Sequence, residues 1–457
     1  MVESTGKLRT RTKLFYGVGD LGNALVNSAI QFFLMKFYTD GALISPALAG
    51  NALLIGKIWD AVNDPLFGWI TDKTKSRFGK RRVFMLFGAI PLAIAVALLW
   101  WVPTADRVWT FVWIAATFLL FDTLWTLTNV PYYALTSELT DDYDERSSLT
   151  TYRMAMAVPA YLVGAALTPA IVGLFAVQRT GWAFIGIAYG IFAAVALLIS
   201  AAGMRERQKI AHAEPEPSPF KSLVTAFKNK PFVWLCSTYF VVNISFAFVK
   251  TLMAYYIQYQ LLMAEQTSLV MGLMLICVTI SLPFWQWVSR KMDKGPAYAL
   301  GMLIGGAAVV LTFFLPHHST PLIYVVSVLA GFGFSSQWIF PWAMVADVAD
   351  YDRAETKQQR SGVYYGVWGL ATKISEALAL AGVGWILTLF GYVANTEQTP
   401  QALLGIRLFF GIIPAAFIFL SLPLLFKYPI TRKSHAVVKA KLEAMDKAAA
   451  AEADAKP

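Results

Sequence analysis

The chain has 457 residues, of which 57% are hydrophobic and only 14% charged, and its net charge is +10. A soluble domain carries about 25% charged residues, so an ordinary soluble protein is excluded. The positive surplus does not point to nucleic acid, because it is scattered through short connections between long apolar stretches.

A membrane-spanning helix needs about 20 mostly apolar residues. Twelve such stretches follow one another: 14–37, 46–71, 83–102, 108–137, 151–176, 181–203, 232–258, 266–289, 297–315, 321–346, 362–392 and 402–426. Of the 38 Lys and Arg, 30 lie in the termini and the even-to-odd connections, and only Arg107 and Arg179 lie in the others. That bias places both termini in the cytoplasm. The expected protein is an all-α integral membrane protein of a bacterial inner membrane, with a first span retained rather than cleaved.

In the first span, Asp20 sits in Gly17-Val18-Gly19-Asp20-Leu21-Gly22, whose glycines allow close helix approach. Asp20 is expected either to face a cavity or to cap the cytoplasmic end. Lys36 and Asp40, near the other end, are expected to snorkel.

The second span holds Lys57-Ile58-Trp59-Asp60-Ala61-Val62-Asn63-Asp64-Pro65. Residues four apart project from one helix face, so both carboxylates point the same way, with Lys57 beside them. A charge at the bilayer centre costs roughly 2.5–3.5 kcal/mol on insertion scales. Three charges there imply use, and the oxygens of Asp60, Asn63 and Asp64 suit Na+, Li+ or a proton. The bland alternative, Lys57 merely neutralising two acids, is costly to retain. Pro65 can loosen the helix that follows.

Span 4 places Thr126 and Asn129 on one face near Trp125, Tyr132 and Tyr133. Aromatic rings stack on a sugar and amides bond its hydroxyls, which is the chemistry of sugar recognition. Arg153 opens span 5. The loops after spans 4 and 10 share Asp-Tyr-Asp, at Asp142-Tyr143-Asp144 and Asp350-Tyr351-Asp352, and Arg146 follows the first. Their mixed charges suit latches between helix ends. The polar segment 204–231, with Glu214-Pro215-Glu216-Pro217 at its centre, is extended by its prolines and divides the chain. Four regions result: a six-span half 1–203, a linker 204–231, a second half 232–428 and a solvated, partly helical cytoplasmic tail 429–457.

Cys236 and Cys277 fall within spans, so no disulfide is expected, and His317 and His318 have no cysteine nearby to complete a metal site. Lys373, deep in span 11, has Glu376 three residues on. It can pair with Asp60 and Asp64 across the halves, bind an anionic substrate, or pair locally with Glu376. Asp122, Lys250 and Arg407 carry weaker cases.

These residues resemble the glycoside–pentoside–hexuronide:cation symporters. The resemblance rests on Tyr16-Gly17-Val18-Gly19, Trp59 through Pro65, Gly79-Lys80-Arg81-Arg82, Asn129-Val130-Pro131-Tyr132-Tyr133, Glu145-Arg146 leading to Arg153, Val345 through Tyr351, and Lys373. It spans nearly all twelve stretches. It implies the major facilitator fold, with two six-helix halves that rock around a central site. It assigns Na+ ligands to Asp60, Asn63, Asp64 and Thr126, and the span-2 cation to Lys57. It assigns the sugar pocket to Asn23, Ala24, Asn129, Tyr133, Arg153, Trp338 and Lys373. Asp20, Lys57, Arg146 and Asp350 then fall to coupling and gating.

The chain departs from the galactoside pattern at Ala24 and Asn129, where two carboxylates are replaced, and at Tyr133, where a Trp is. An anionic sugar such as a uronide, or a neutral pentoside or glucoside, is thereby favoured over melibiose. The expected protein is a monomeric sugar symporter without a cofactor, in contact with membrane lipids and driven by Na+. H+ coupling and Na+-coupled lysophospholipid transport are the alternatives. An enzyme is not expected, since no nucleophile stands beside a base.

Overall fold

The computed structural model describes residues 8–103, 106–140, 142–204, 224, 226–358 and 360–454. Among the described residues, twelve long helices follow one another before a terminal one. They are α1 (Thr10–Ala29, prolonged by π-helical turns at Ile30–Leu34 and Phe37–Gly41), α2 (Pro46–Lys73), α3 (Arg82–Leu99), α4 (Arg107–Leu139), α5 (Tyr143–Gly173) and α6 (Gln178–Gly203). After them come α7 (Lys230–Gln260), α8 (Thr267–Lys291), α9 (Lys294–Thr312), α10 (Thr320–Thr356), α11 (Ser361–Leu389) and α12 (Pro400–Phe426). A terminal helix α13 (Arg432–Asp454) closes the chain. Asp106 and Asn229 cap α4 and α7 by accepting the amide N–H of Trp109 and Phe232, the usual way an exposed helix start satisfies its amides.

Among the described residues ten helices are long and apolar enough to cross a membrane. The other two, α1 and α2, are long enough but too polar, because they carry Asp20, Asn23, Asn27 and Gln31 on one and Lys57, Asp60, Asn63 and Asp64 on the other. Those side chains turn inward, so protein rather than lipid meets them. Twelve such helices give the protein the arrangement of a multi-pass membrane protein.

Helices α1–α6 pack together as one half and α7–α12 as the other. In the first half α1 lies close to α5 and α6. A Cβ at Gly22 would stand 2.5 Å from the Cα of Ala193, and one at Gly17 2.9 Å from the carbonyl oxygen of Tyr152, so only glycine admits this approach. Of the linker expected at 204–231, residues 205–223 and 225 lie outside the described residues, and α7 already begins at Lys230.

Three seams join the halves: α2 with α11, α5 with α8, and the π-helical end of α1 with α7. They are tightest on the face opposite the termini. There the Tyr255 hydroxyl meets Thr39 Oγ1 at 2.7 Å, and Asp40 accepts the hydroxyls of Tyr259 at 2.7 Å and Tyr392 at 2.5 Å. Asn395 Nδ2 donates to the Asp40 carbonyl at 2.7 Å, and Lys36 pairs with Asp40 while lying over the rings of Tyr255 and Tyr259. Lys36 and Asp40 therefore do not snorkel. Asp40 is 8% exposed, because four neighbours supply the hydrogen bonds that water would otherwise supply.

The halves part on the terminal face. Among the described residues, no extended packing joins α4 to α10 there. Along α11, Gly362, Gly366 and Gly369 border open space on the helix face that leads to Lys373.

The tail departs from expectation. Val438 and Leu442 of α13 bury themselves against Ala354, with Tyr351 and Met445 at the edge. An apolar i, i+4 pair inside a polar helix is enough to dock one face. His435 Nε2 lies 3.3 Å from Asp350 and 3.5 Å from Asp347.

On the same face Glu145 accepts the Leu8 amide at 2.9 Å and pairs with Lys13 at 2.9 Å, within the first half. Its burial raises the carboxyl pKa, but the bonds from Lys13 and Leu8 outweigh that and hold it below the ordinary carboxylate range. Arg146, exposed nearby, bonds the Thr140 carbonyl at 3.1 Å, and Lys294 pairs with Asp347 at 2.6 Å within the second half.

Candidate cation and substrate site

The helical spacing read from the sequence does set Asp60 and Asp64 on one face of α2, turned toward α11. Lys373 reaches across from α11 and joins them. Its ammonium lies 2.7 Å from Asp60 Oδ1, 2.5 Å from Asp64 Oδ2 and 3.2 Å from the Asp60 carbonyl oxygen. An ammonium has three protons, and three acceptors here take them. Of the three partners weighed for Lys373, the structure gives it the two aspartates, and Glu376 turns elsewhere.

Two side chains complete the cluster. Thr126 Oγ1 on α4 donates to Asp64 Oδ1 at 3.0 Å. Asn63 Nδ2 donates to Asp122 Oδ2 at 2.8 Å, while Asn63 Oδ1 is buried without a hydrogen-bond partner. An orphaned amide oxygen, a hydroxyl and two carboxylates on neighbouring turns form a set of hard oxygen donors. Asp60 is buried, whereas the Asp64 side chain keeps 39% exposure. A small cation can reach it.

Asp122 deserved more weight than its sequence context gave it. A lone acid in an apolar span is itself a signal, and here it orients Asn63.

Toward the terminal face lies a second cluster. Arg153 Nε is 3.4 Å from Asp20 Oδ2, and the guanidinium sits 5.0 Å from the Tyr133 ring centroid. The Tyr133 hydroxyl donates to Asp20 Oδ1 at 3.3 Å. Asp20 thus faces inward rather than capping a helix end. Asn23 Nδ2 donates to Asn129 Oδ1, whose own amide donates to the Trp125 carbonyl at 3.0 Å. Half-buried Ala24 packs against the core at this level. Tyr133 is 42% exposed, so one aromatic ring of this cluster is presented for contact.

Away from the terminal face, Trp338 stacks edge-on against Tyr161, with centroids 5.5 Å apart. The Tyr161 hydroxyl donates to Gln31 Oε1 at 2.9 Å, and so does Lys250 Nζ at 2.9 Å. Glu376 lies 3.8 Å from both Lys250 and Lys57, and Lys57 is 3.7 Å from Asp60 Oδ2. These positions were not foreseen as a group, because Gln31, Lys250 and Glu376 stand on three helices and share no spacing. Arg146 and Asp350 lie apart from all of this, at the terminal face.

Across the centre, four carboxyl groups (Asp60, Asp64, Asp122, Glu376) stand among three ammonium groups (Lys57, Lys250, Lys373). One acid is in excess.

A family model described as MFS/sugar transport protein matches residues 15–432. The chain is 28% identical to the glucuronide carrier protein homolog of Escherichia coli, over 93% of this chain and 94% of that protein. It is 25% identical to sodium-dependent lysophosphatidylcholine symporter 1-B of Danio rerio, over 94% and 89% respectively. Among solved structures it resembles an inward-facing bacterial homologue of the lysosomal transporter Spinster, with a TM-score of 0.65 and 14% identity over 92% of this chain and 98% of that one. At that identity the likeness concerns the fold alone.

Proposed function

The chain belongs to the family of MFS/sugar transport proteins, as a symporter and not an enzyme, and we propose that it carries a sugar or glycoside together with Na+. Asp60, Asp64, Asn63 Oδ1 and Thr126 Oγ1 hold the cation. Asn23, Asn129, Tyr133, Arg153 and Trp338 meet the sugar. The membrane is a cytoplasmic one, and the basic terminal face is its inner side.

The observation that carries this reading is the Lys373 bridge. A tethered ammonium sits between two carboxylates of the other half, where a monovalent cation would bind. When Na+ enters, Lys373 must yield one or both acids, and the freed ammonium becomes available to the sugar. Cation and sugar then raise each other's affinity, by linkage. Because the bridge spans α2 and α11, its rearrangement acts on the seam between halves, which is what alternating access requires. In the present state the seam is closed away from the termini and open toward them.

The test is uptake into membrane vesicles under an imposed Na+ gradient, against K+ and against a proton gradient. The panel covers glycosides, uronides and lysophospholipids. Uphill sugar accumulation with Na+ supports the reading. Accumulation driven by protons alone moves coupling to H+, and uptake of lysophospholipid alone replaces the sugar.

A further inference from the structure

We propose that the cavity between α1, α2, α7 and α11 is a subsite for an acidic group of the substrate, bound by Lys57 and Lys250, with Glu376 as the resident counterion that the substrate displaces. This rests on the sugar reading above and narrows it to sugar acids.

The argument begins with unused donors. Lys373 spends its protons on three oxygens within 3.2 Å. Lys57 does not. Its nearest acids, Asp60 and Glu376, stand 3.7 and 3.8 Å away, beyond the 2.7–3.2 Å of an N–H···O bond. Lys250 makes one short bond, to Gln31 Oε1 at 2.9 Å, and meets Glu376 only at 3.8 Å. Lys57 and Lys250 therefore share Glu376 at arm's length, and Lys57 has Asp60 at a similar distance. Of the cationic residues expected to meet an acidic substrate, Lys373 is already engaged with Asp60 and Asp64, and Arg153 faces Asp20 at 3.4 Å.

The surroundings suit a ligand. Lys57, Lys250, Glu376 and Gln31 border one small cavity. Its other walls are apolar, among them Leu53, Phe118 and Leu380. In such surroundings charge interactions are stronger than in water, and buried ammonium groups without a close hydrogen-bonded acid are correspondingly costly. A carboxylate has two oxygens and can bond both lysines at once. Tyr161, bonded to the same Gln31 and stacked with Trp338, offers an aromatic edge for the sugar ring.

Three roles follow. Lys57 and Lys250 bind the acidic group. Gln31 positions Lys250. Glu376 holds the two lysines together in the empty state and competes with the ligand. Lys57 also neighbours Asp60, so an acid bound here lies one residue from the cation cluster and favours its occupation.

The experiment is a calorimetric titration of the purified protein in Na+ with methyl β-glucuronide and methyl β-glucoside, which differ only at the sixth carbon, and with a lysophospholipid. The expected wild-type result is tighter binding of the glucuronide. Lys250→Gln should weaken the glucuronide about tenfold or more, as loss of one partner of a buried charge contact does, and leave the glucoside unchanged. Lys250→Arg should largely restore it. Glu376→Gln should tighten the glucuronide severalfold by removing the competitor. Glucoside binding as tight as glucuronide, with neither moved by Lys250→Gln, would overturn the subsite and leave the sugar reading standing. Binding of lysophospholipid alone, weakened by Lys250→Gln, would retain an anion subsite and overturn the sugar reading. Binding of none of the three would overturn both.

Discussion

Two charged clusters join the halves, and they differ in how completely they are satisfied. Around Asp40, one carboxylate receives Lys36, the Thr39 hydroxyl at 2.8 Å and the hydroxyls of Tyr259 and Tyr392. A carboxylate has about four acceptor sites, so nothing is left over. Around Lys373, two carboxylates share one ammonium, one of them stays 39% exposed, and Asn63 Oδ1 waits without a partner. Both hold a Lys–Asp pair at a seam, but only Lys373 reaches its aspartates from the other half. The saturated one closes the face away from the termini, and the unsaturated one has room to bind. Satisfaction, rather than the presence of charge, separates a lock from a site.

The largest expected effect comes from removing acid at the unsaturated cluster. Asp60→Asn or Asp64→Asn should abolish Na+-driven accumulation while leaving sugar exchange, since each removes a charged ligand. Transport assays with and without a Na+ gradient read this directly. Unchanged Na+ stimulation in both variants would end the distinction drawn here.

Next comes the lock. Asp40→Ala strands Lys36 and three hydroxyls in a buried seam. Breaking a buried pair costs about 3–5 kcal/mol, so the closed state should lose population. A cysteine at Leu34, in a background without Cys236 and Cys277, should then react at least about tenfold faster with an impermeant maleimide added outside. An unchanged rate would mean that other contacts hold that face.

Lys373→Ala removes the tethered competitor. Na+ should bind more tightly, by several fold, and its affinity should no longer respond to sugar. Calorimetry with and without sugar measures both. A wild-type coupling retained in this variant would make Lys373 merely structural. Thr126→Val, which deletes one hydroxyl near Asp64, should cost about 1 kcal/mol of cation binding, or roughly fivefold in Na+ affinity.

The smallest effect concerns Glu145, which lies outside both clusters. Its folded pKa is depressed. Its contribution to stability is therefore present above the ordinary carboxylate pKa and is lost as pH falls through the folded value. Glu145→Gln should flatten the acid limb of melting temperature against pH and leave transport at neutral pH intact. An unaltered acid limb would assign no stabilising role to its contacts with Lys13 and Leu8.

Much of the fold was legible because membrane spans announce themselves by length. The exceptions are informative. Helices α1 and α2 are too polar by themselves, and their polar groups turn to the centre, where α4, α5, α7 and α11 add theirs. The Asp60–Asp64 face was legible because helical spacing is local. The Lys36–Asp40 lock was not, because its partners Tyr255, Tyr259 and Tyr392 come from α7 and the turn after α11. Spacing within one helix says nothing of a hydroxyl two hundred residues away. The docking of α13 was missed for a related reason, since Val438 and Leu442 are a short apolar pair in an otherwise solvated sequence.

The central claim is that Asp60 and Asp64 form a cation site that Lys373 fills in the absence of Na+. The most direct test is the melting temperature of the purified protein in NaCl against choline chloride, for wild type and for the Asp60→Asn, Asp64→Asn double variant. A ligand bound only by the folded state raises the melting point. The expected result is a Na+-specific rise in the wild type that disappears in the double variant. No rise in the wild type, or an equal rise in both, would contradict it.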